Sequence, residues 1–163
     1  MAIALSGGST NFTSTITASP AANRTVTVPD SDFTITGNDL TQTLTNKTLT
    51  NPTVTNYVET VVAIGTVTTS NTIALTNGTV QTATLTASTA CTFTMPAATA
   101  GKSFVLLLKQ AASTGNGTAT FTGVKWGTAG APTITATAGK MDILSFIADG
   151  TNWYGSAAQG YTP

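Results

Sequence analysis

Histidine is absent from this chain, cysteine occurs once, and charged residues make up only 7% of it. Without histidine, the commonest general base and the commonest metal ligand are both missing. The single Cys91 cannot form an internal disulfide, and its alternation with Phe93 and Met95 in ACTFTMP marks it as a core thiol rather than a nucleophile. Formal net charge is zero, and Arg24, Lys47, Lys102, Lys109, Lys125 and Lys140 are scattered. A phosphate-binding surface needs such residues clustered, so no nucleic-acid partner is expected. The longest apolar run, FVLLL at 104–108, is far too short to cross a bilayer. MAIALSGGST has neither a basic n-region nor a proper apolar core, so synthesis in a cytoplasm without a secretory leader is expected. A soluble monomer with so few charges is poorly protected against association, which predicts a surface partly covered by partners.

What the chain has in abundance is threonine, roughly a quarter of its residues. Threonine is stiff at χ1 and suits a pleated strand better than a helix, and no long stretch carries an apolar stripe with helical spacing. An all-β chain follows. Residues 1–57 hold single apolar residues among Thr, Asn, Ser and Pro, whereas longer apolar strands begin at Val58. This predicts an extended arm, 1–57, and a head domain, 58–163. Within the head, strands are expected near 58–67, 71–75, 80–87, 91–96, 102–110, 117–123, 131–138, 140–149 and 152–157. TNGT, PAATAGK, STGNGT, WGTAGAP and ADGTN supply the turns. Eight or nine short strands in roughly 100 residues have the rhythm of a β-sandwich or jelly roll with one core of its own.

Residues 43–57, TLTNKTLTNPTVTNY, repeat one five-residue phrase three times. A pentad fits neither the helical nor the strand period, so Leu44, Leu49 and Val54 reach one side only if the chain bends in every repeat. Asn46, Lys47, Asn51, Pro52 and Asn56 stand where those bends belong, since Asn tolerates the left-handed region and Pro fixes φ. Three apolar residues in the segment cannot offset the entropy of ordering it. Three copies sharing an axis would bury about nine such side chains, each worth roughly 1.5–3 kcal/mol if fully buried. Leu44, Leu49 and Val54 are therefore the candidate trimerisation residues. In ANRTVTVPDSDFTITG, residues 22–37, Val26 alternates with Val28 and Phe33 with Ile35, a pattern suited to an arm attached by strand addition to a foreign sheet edge.

The phrases TLTNKTLTNPT, SFVLLLKQ and GVKWGTAGAPTITATAGKMDILSFIADGTNWYGS, in this order, resemble structural proteins of tailed bacteriophages, especially fibres and capsid decoration proteins. ANRTVTVPDSDFTITG is similar to a phrase of phage fibre shafts. The resemblance implies a component of the virion surface, usually a homotrimer, with an attaching N-terminal part and a C-terminal β domain. A fibre that reaches a receptor needs a long shaft, and only one compact domain follows this arm. A capsid decoration, or cement, protein bound to the major capsid protein is therefore the favoured expectation, and a tail fibre or fibre adaptor the alternative. Fully extended, residues 1–57 span on the order of 190 Å at most, enough to lie across neighbouring shell subunits.

No residues form a catalytic constellation in the sequence, and the expectation is a protein that is not an enzyme and needs no metal or cofactor. Asp30 and Asp32 are the only close carboxylate pair; with Asp39 they could make a cation site or an acid pair, but in VPDSDF they read as turn residues after Pro29 capping backbone amides. Trp126, Trp153 and Tyr154 are a candidate platform for sugars, which stack on aromatic faces. Trp153 and Tyr154 are adjacent, however, so a strand turns them to opposite sides and at least one belongs to the core.

Overall fold

The structure is a computed structural model that describes residues 43–44 and 47–163. The chain divides into two units, Met1–Pro52 and Thr53–Pro163. The described residues contain no helix and are all-β. Nine strands lie in the second unit: β1 (Val61–Val67), β2 (Ser70–Thr72), β3 (Val80–Leu85), β4 (Ala90–Thr94), β5 (Ser103–Lys109), β6 (Thr118–Thr122), β7 (Val124–Trp126), β8 (Met141–Ala148) and β9 (Trp153–Tyr161).

The strands form a six-stranded sheet in the order β1-β3-β5-β8-β9-β7 and a three-stranded sheet in the order β2-β4-β6. Each of the first three strand pairs sends one strand to the larger sheet and the next to the smaller. The following pair stacks on it in parallel: Val61 pairs with Val80 and Val80 with Val105 in one sheet, while Asn71 pairs with Phe93 and Phe93 with Phe121 in the other. This is a solenoid-like winding. β8 then runs antiparallel to β5, and β9 antiparallel to β8. The jelly-roll expectation is corrected at this point, because that topology joins antiparallel neighbours. Spacing of strands and turns is common to both arrangements, so it could not distinguish them. Gly65, with φ 87°, stands where the β1–β3 register slips between Ala63 and Gly65, a conformation that a side chain would strain.

Alternation within each strand builds the core. Gln81, Ala83 and Leu85 of β3, Phe104, Leu106 and Leu108 of β5, and Leu144, Phe146 and Ala148 of β8 point inward. They meet Cys91 and Phe93 of β4 and Phe121 of β6. Phe93 and Phe121 stack with centroids 5.2 Å apart, Phe121 reaches across to Phe146 at 5.5 Å, and Phe146 stacks on Phe104 at 4.7 Å. These contacts tie the two sheets through one aromatic row.

The expected strand at 131–138 has no ladder. Its backbone groups are taken by other partners: Thr135 N–H donates to Asp142, Ala136 C=O accepts from Asn116 N–H, and Thr133 C=O accepts from the Gln159 amide. Ile134, 6% exposed, anchors the segment in the core. A strand that was not expected, β7, pairs in parallel with β9.

Candidate functional site

The pentad segment presents the side chains selected for trimerisation to solvent. Leu44, Leu49 and Val54 are 53%, 60% and 59% exposed. Asn51 and Asn56, one pentad apart, both adopt the left-handed conformation, with φ 49° and 55°. Corners therefore fall where the repeat places its Asn, the residue that tolerates them best after glycine. Asn46 lies outside the described residues, as do Val26, Val28, Phe33 and Ile35 of the attachment arm and Asp30, Asp32 and Asp39.

The three aromatic residues proposed as a sugar platform are not brought together on the surface. Trp153 is 2% exposed, packs edge-on to Phe104 at 5.3 Å, and donates its indole N–H to the Pro96 carbonyl at 2.8 Å. Trp126 is half-buried, edge-on to Phe121 and Phe146. A Cβ at Gly155 would lie 2.6 Å from the Trp126 ring, so glycine there is what lets the indole close on the sheet. Tyr154 alone is exposed, because its strand turns it opposite to Trp153.

Around Tyr154 the surface has some polar structure. Asp149 accepts N–H donors from Thr151 and Asn152 at 2.7 Å and the Tyr154 hydroxyl at 2.9 Å. The Asn152 and Thr151 amides, then the Tyr154 hydroxyl, hold the Asp149 carboxyl at about 2, and the same contact pushes the Tyr154 phenol above its ordinary value. Next to it lies an open groove of about 420 Å³ on the outer side of the larger sheet, with Val80, Val105 and Ile147 as apolar lining, Ser103, Ser145 and Ser156 between them, and Glu59 and Thr79 at one side. The Thr79 hydroxyl donates to the Glu59 carboxylate.

Asp142 was not singled out from the sequence. It is 1% exposed and accepts from Thr135 N–H at 2.7 Å, Gly160 N–H at 3.0 Å and the Gln159 amide at 3.1 Å. Its position explains it: the β8–β9 register slips between Met141 and Ile143, and Asp142 occupies the slip, facing backbone donors that lack a ladder partner. A charged residue inside the apolar phrase KMDILSFIAD was the available signal. The buried amide of Gln110 does similar work, exchanging two hydrogen bonds with the backbone of Gly117 at 2.6 and 3.0 Å.

These polar groups brace the fold. Cys91 is buried, and burial pushes its thiol up, away from the nucleophilic thiolate. Among the described residues no three His, Cys, Asp or Glu side chains are grouped to hold a metal ion, and no helix is long and apolar enough to cross a membrane. Comparison with protein-family models, curated proteins and solved structures matched none of them to this chain.

Proposed function

We propose that the chain is a non-enzymatic structural protein of a phage virion, a trimeric decoration protein that cements the head. The observation that carries this reading is the pentad segment. Left-handed corners recur at Asn51 and Asn56, and Leu44, Leu49 and Val54 stand open to solvent, as a segment completed by other copies requires. The order of phage-like phrases along the chain supports the virion context.

The test is made on particles. A decoration protein is present at a copy number comparable with the major capsid protein, and particles lacking it release their genome at lower temperature. A copy number that is a small fraction of the capsid protein's, with unchanged particle stability, would overturn cement in favour of a tail fibre or fibre adaptor. Trimer formation through the pentads is tested separately by sedimentation of the full-length Leu44→Asp, Leu49→Asp double variant. It should dissociate, since charges gathered near one axis without partners are strongly disfavoured.

A further inference from the structure

The two outer faces of the head differ in chemistry. On the three-stranded sheet, Ser70, Thr92 and Thr120 form one cross-strand row and Thr72, Thr94 and Thr122 the next, all exposed. The Thr120 hydroxyl donates to that of Thr92 at 3.2 Å, and the surface is one that water wets. On the six-stranded sheet the larger outward side chains are apolar, with Thr82, Thr84, Ser103, Ser145 and Ser156 between them. Val61, Val80 and Val105 share a row, and Leu107 and Ile143 face each other in the next. Ile147 is paired with Tyr154, and the two are 55% and 44% exposed. Outward alternation on an isolated antiparallel or solenoid sheet calls for polar residues here. The charges at this face stand at its margins: Lys109 at one end of β5, Lys125 on the edge strand β7 beside Tyr154, Glu59 beside the groove, and Asp149 at the Tyr154 hydroxyl.

We infer that this outer face of the six-stranded sheet is the surface on which copies of the chain pack against one another. The inference deepens the proposed trimer by giving the head its own contact, and it rests on that reading only for the number of copies. Size supports it. Five strands about 4.8 Å apart, over about seven residues of about 3.3 Å, make a face of about 550 Å² in projection. The accessible area of such a corrugated face is larger and comes within range of the roughly 800 Å² per partner found in stable pairs. Charge also supports it, because Val105, Ser145 and Ser156 at the middle carry none, while Lys109 and Lys125 on one hand and Glu59 and Asp149 on the other leave the rim balanced, as an uncharged centre with a polar rim suits a second copy of the same chain. Shape agrees: Ser145 lies at the centre, paired with Val105 on one side and Ser156 on the other, and small residues there let two sheets approach to about 10 Å.

The experiment uses the full-length chain with the Ser145→Arg, Ile147→Lys double variant. Both residues are exposed, so the folded head has room for them. Unchanged circular dichroism checks folding, and sedimentation equilibrium reads the mass. Dissociation towards the 16.4 kDa single chain is expected, whereas Thr120→Lys on the threonine face leaves the mass unchanged. If the double variant misfolds, Ser145→Cys replaces it: a short bis-maleimide, which spans the gap between facing sheets that a disulfide is too short to bridge, should join two copies through this position, with buried Cys91 unreactive. A folded double variant that keeps the wild-type mass, or a Ser145→Cys protein that stays uncrosslinked, overturns the inference. A wild-type chain that is monomeric overturns both this face and the trimer. Dissociation by Leu44→Asp, Leu49→Asp but not by the face variant leaves the pentad seam standing and removes the face.

Discussion

Replacing Asp142 with alanine should destabilise the head more than its single buried carboxylate suggests. The side chain is 1% exposed and accepts three donors: the backbone N–H groups of Thr135 and Gly160 and the side-chain amide of Gln159. Gln159 is exposed and can return its amide to water. The two backbone donors cannot do so without opening the 132–136 segment or the end of β9. At about 1–3 kcal/mol for each of the two donors left unsatisfied, Asp142→Ala should cost about 2–6 kcal/mol. That is a large fraction of the roughly 5–15 kcal/mol that holds a typical domain together. Asp142→Asn keeps the shape and one acceptor oxygen, and should fall between alanine and wild type.

Urea unfolding reads the effect as a lower midpoint at constant slope. The pH dependence gives a second reading. Burial pushes the Asp142 carboxyl up, but the hydrogen bonds from Thr135, Gln159 and Gly160 outweigh burial and hold it below the ordinary carboxylate value. A carboxylate depressed in the folded state contributes stability that is complete above its unfolded pKa of about 3.9 and is lost as pH falls through the folded value. Wild type should therefore lose stability on acidification below about pH 4 more steeply than Asp142→Asn. An alanine variant within about 0.5 kcal/mol of wild type, the range of an ordinary surface change, would refute this account of the bulge.

Two further outcomes follow from the same geometry. Cys91 should react with a thiol reagent only through unfolding, so its labelling rate should track global stability across a urea series; labelling in native buffer as fast as a free thiol's would show that the β4 face is open. Asp149→Ala should bring the Tyr154 phenol back towards about 10, read as an earlier rise of ultraviolet absorbance on alkaline titration; an unchanged titration would show that the contact does not persist in solution.

Threonine content, period-two alternation and punctuation by Gly, Asn and Pro made the all-β class and most strands legible, because these are local preferences that each segment carries wherever it packs. The strands expected near 80–87, 102–110 and 140–149 contain β3, β5 and β8, and the inward sides of these strands follow from alternation alone. The left-handed corners at Asn51 and Asn56 are local in the same sense. Pairing is a different matter. Whether β1 meets β3 in parallel or a hairpin neighbour depends on which edges lie free when the chain returns, and strand and turn lengths are nearly the same for a solenoid and a jelly roll. The parallel bridge between β7 and β9 joins separate segments of the chain, and Asp142 acquires the Gln159 and Gly160 donors because β8 and β9 slip by a residue there, while Thr135 reaches it from the segment before β8. FVLLL and MDILSFIA are apolar on both sides of the strand, which in isolation reads as burial on both. Only the tertiary structure shows that one side fills the core while the other stands as an outer face, because a sequence records how apolar a strand is but not how many layers cover it.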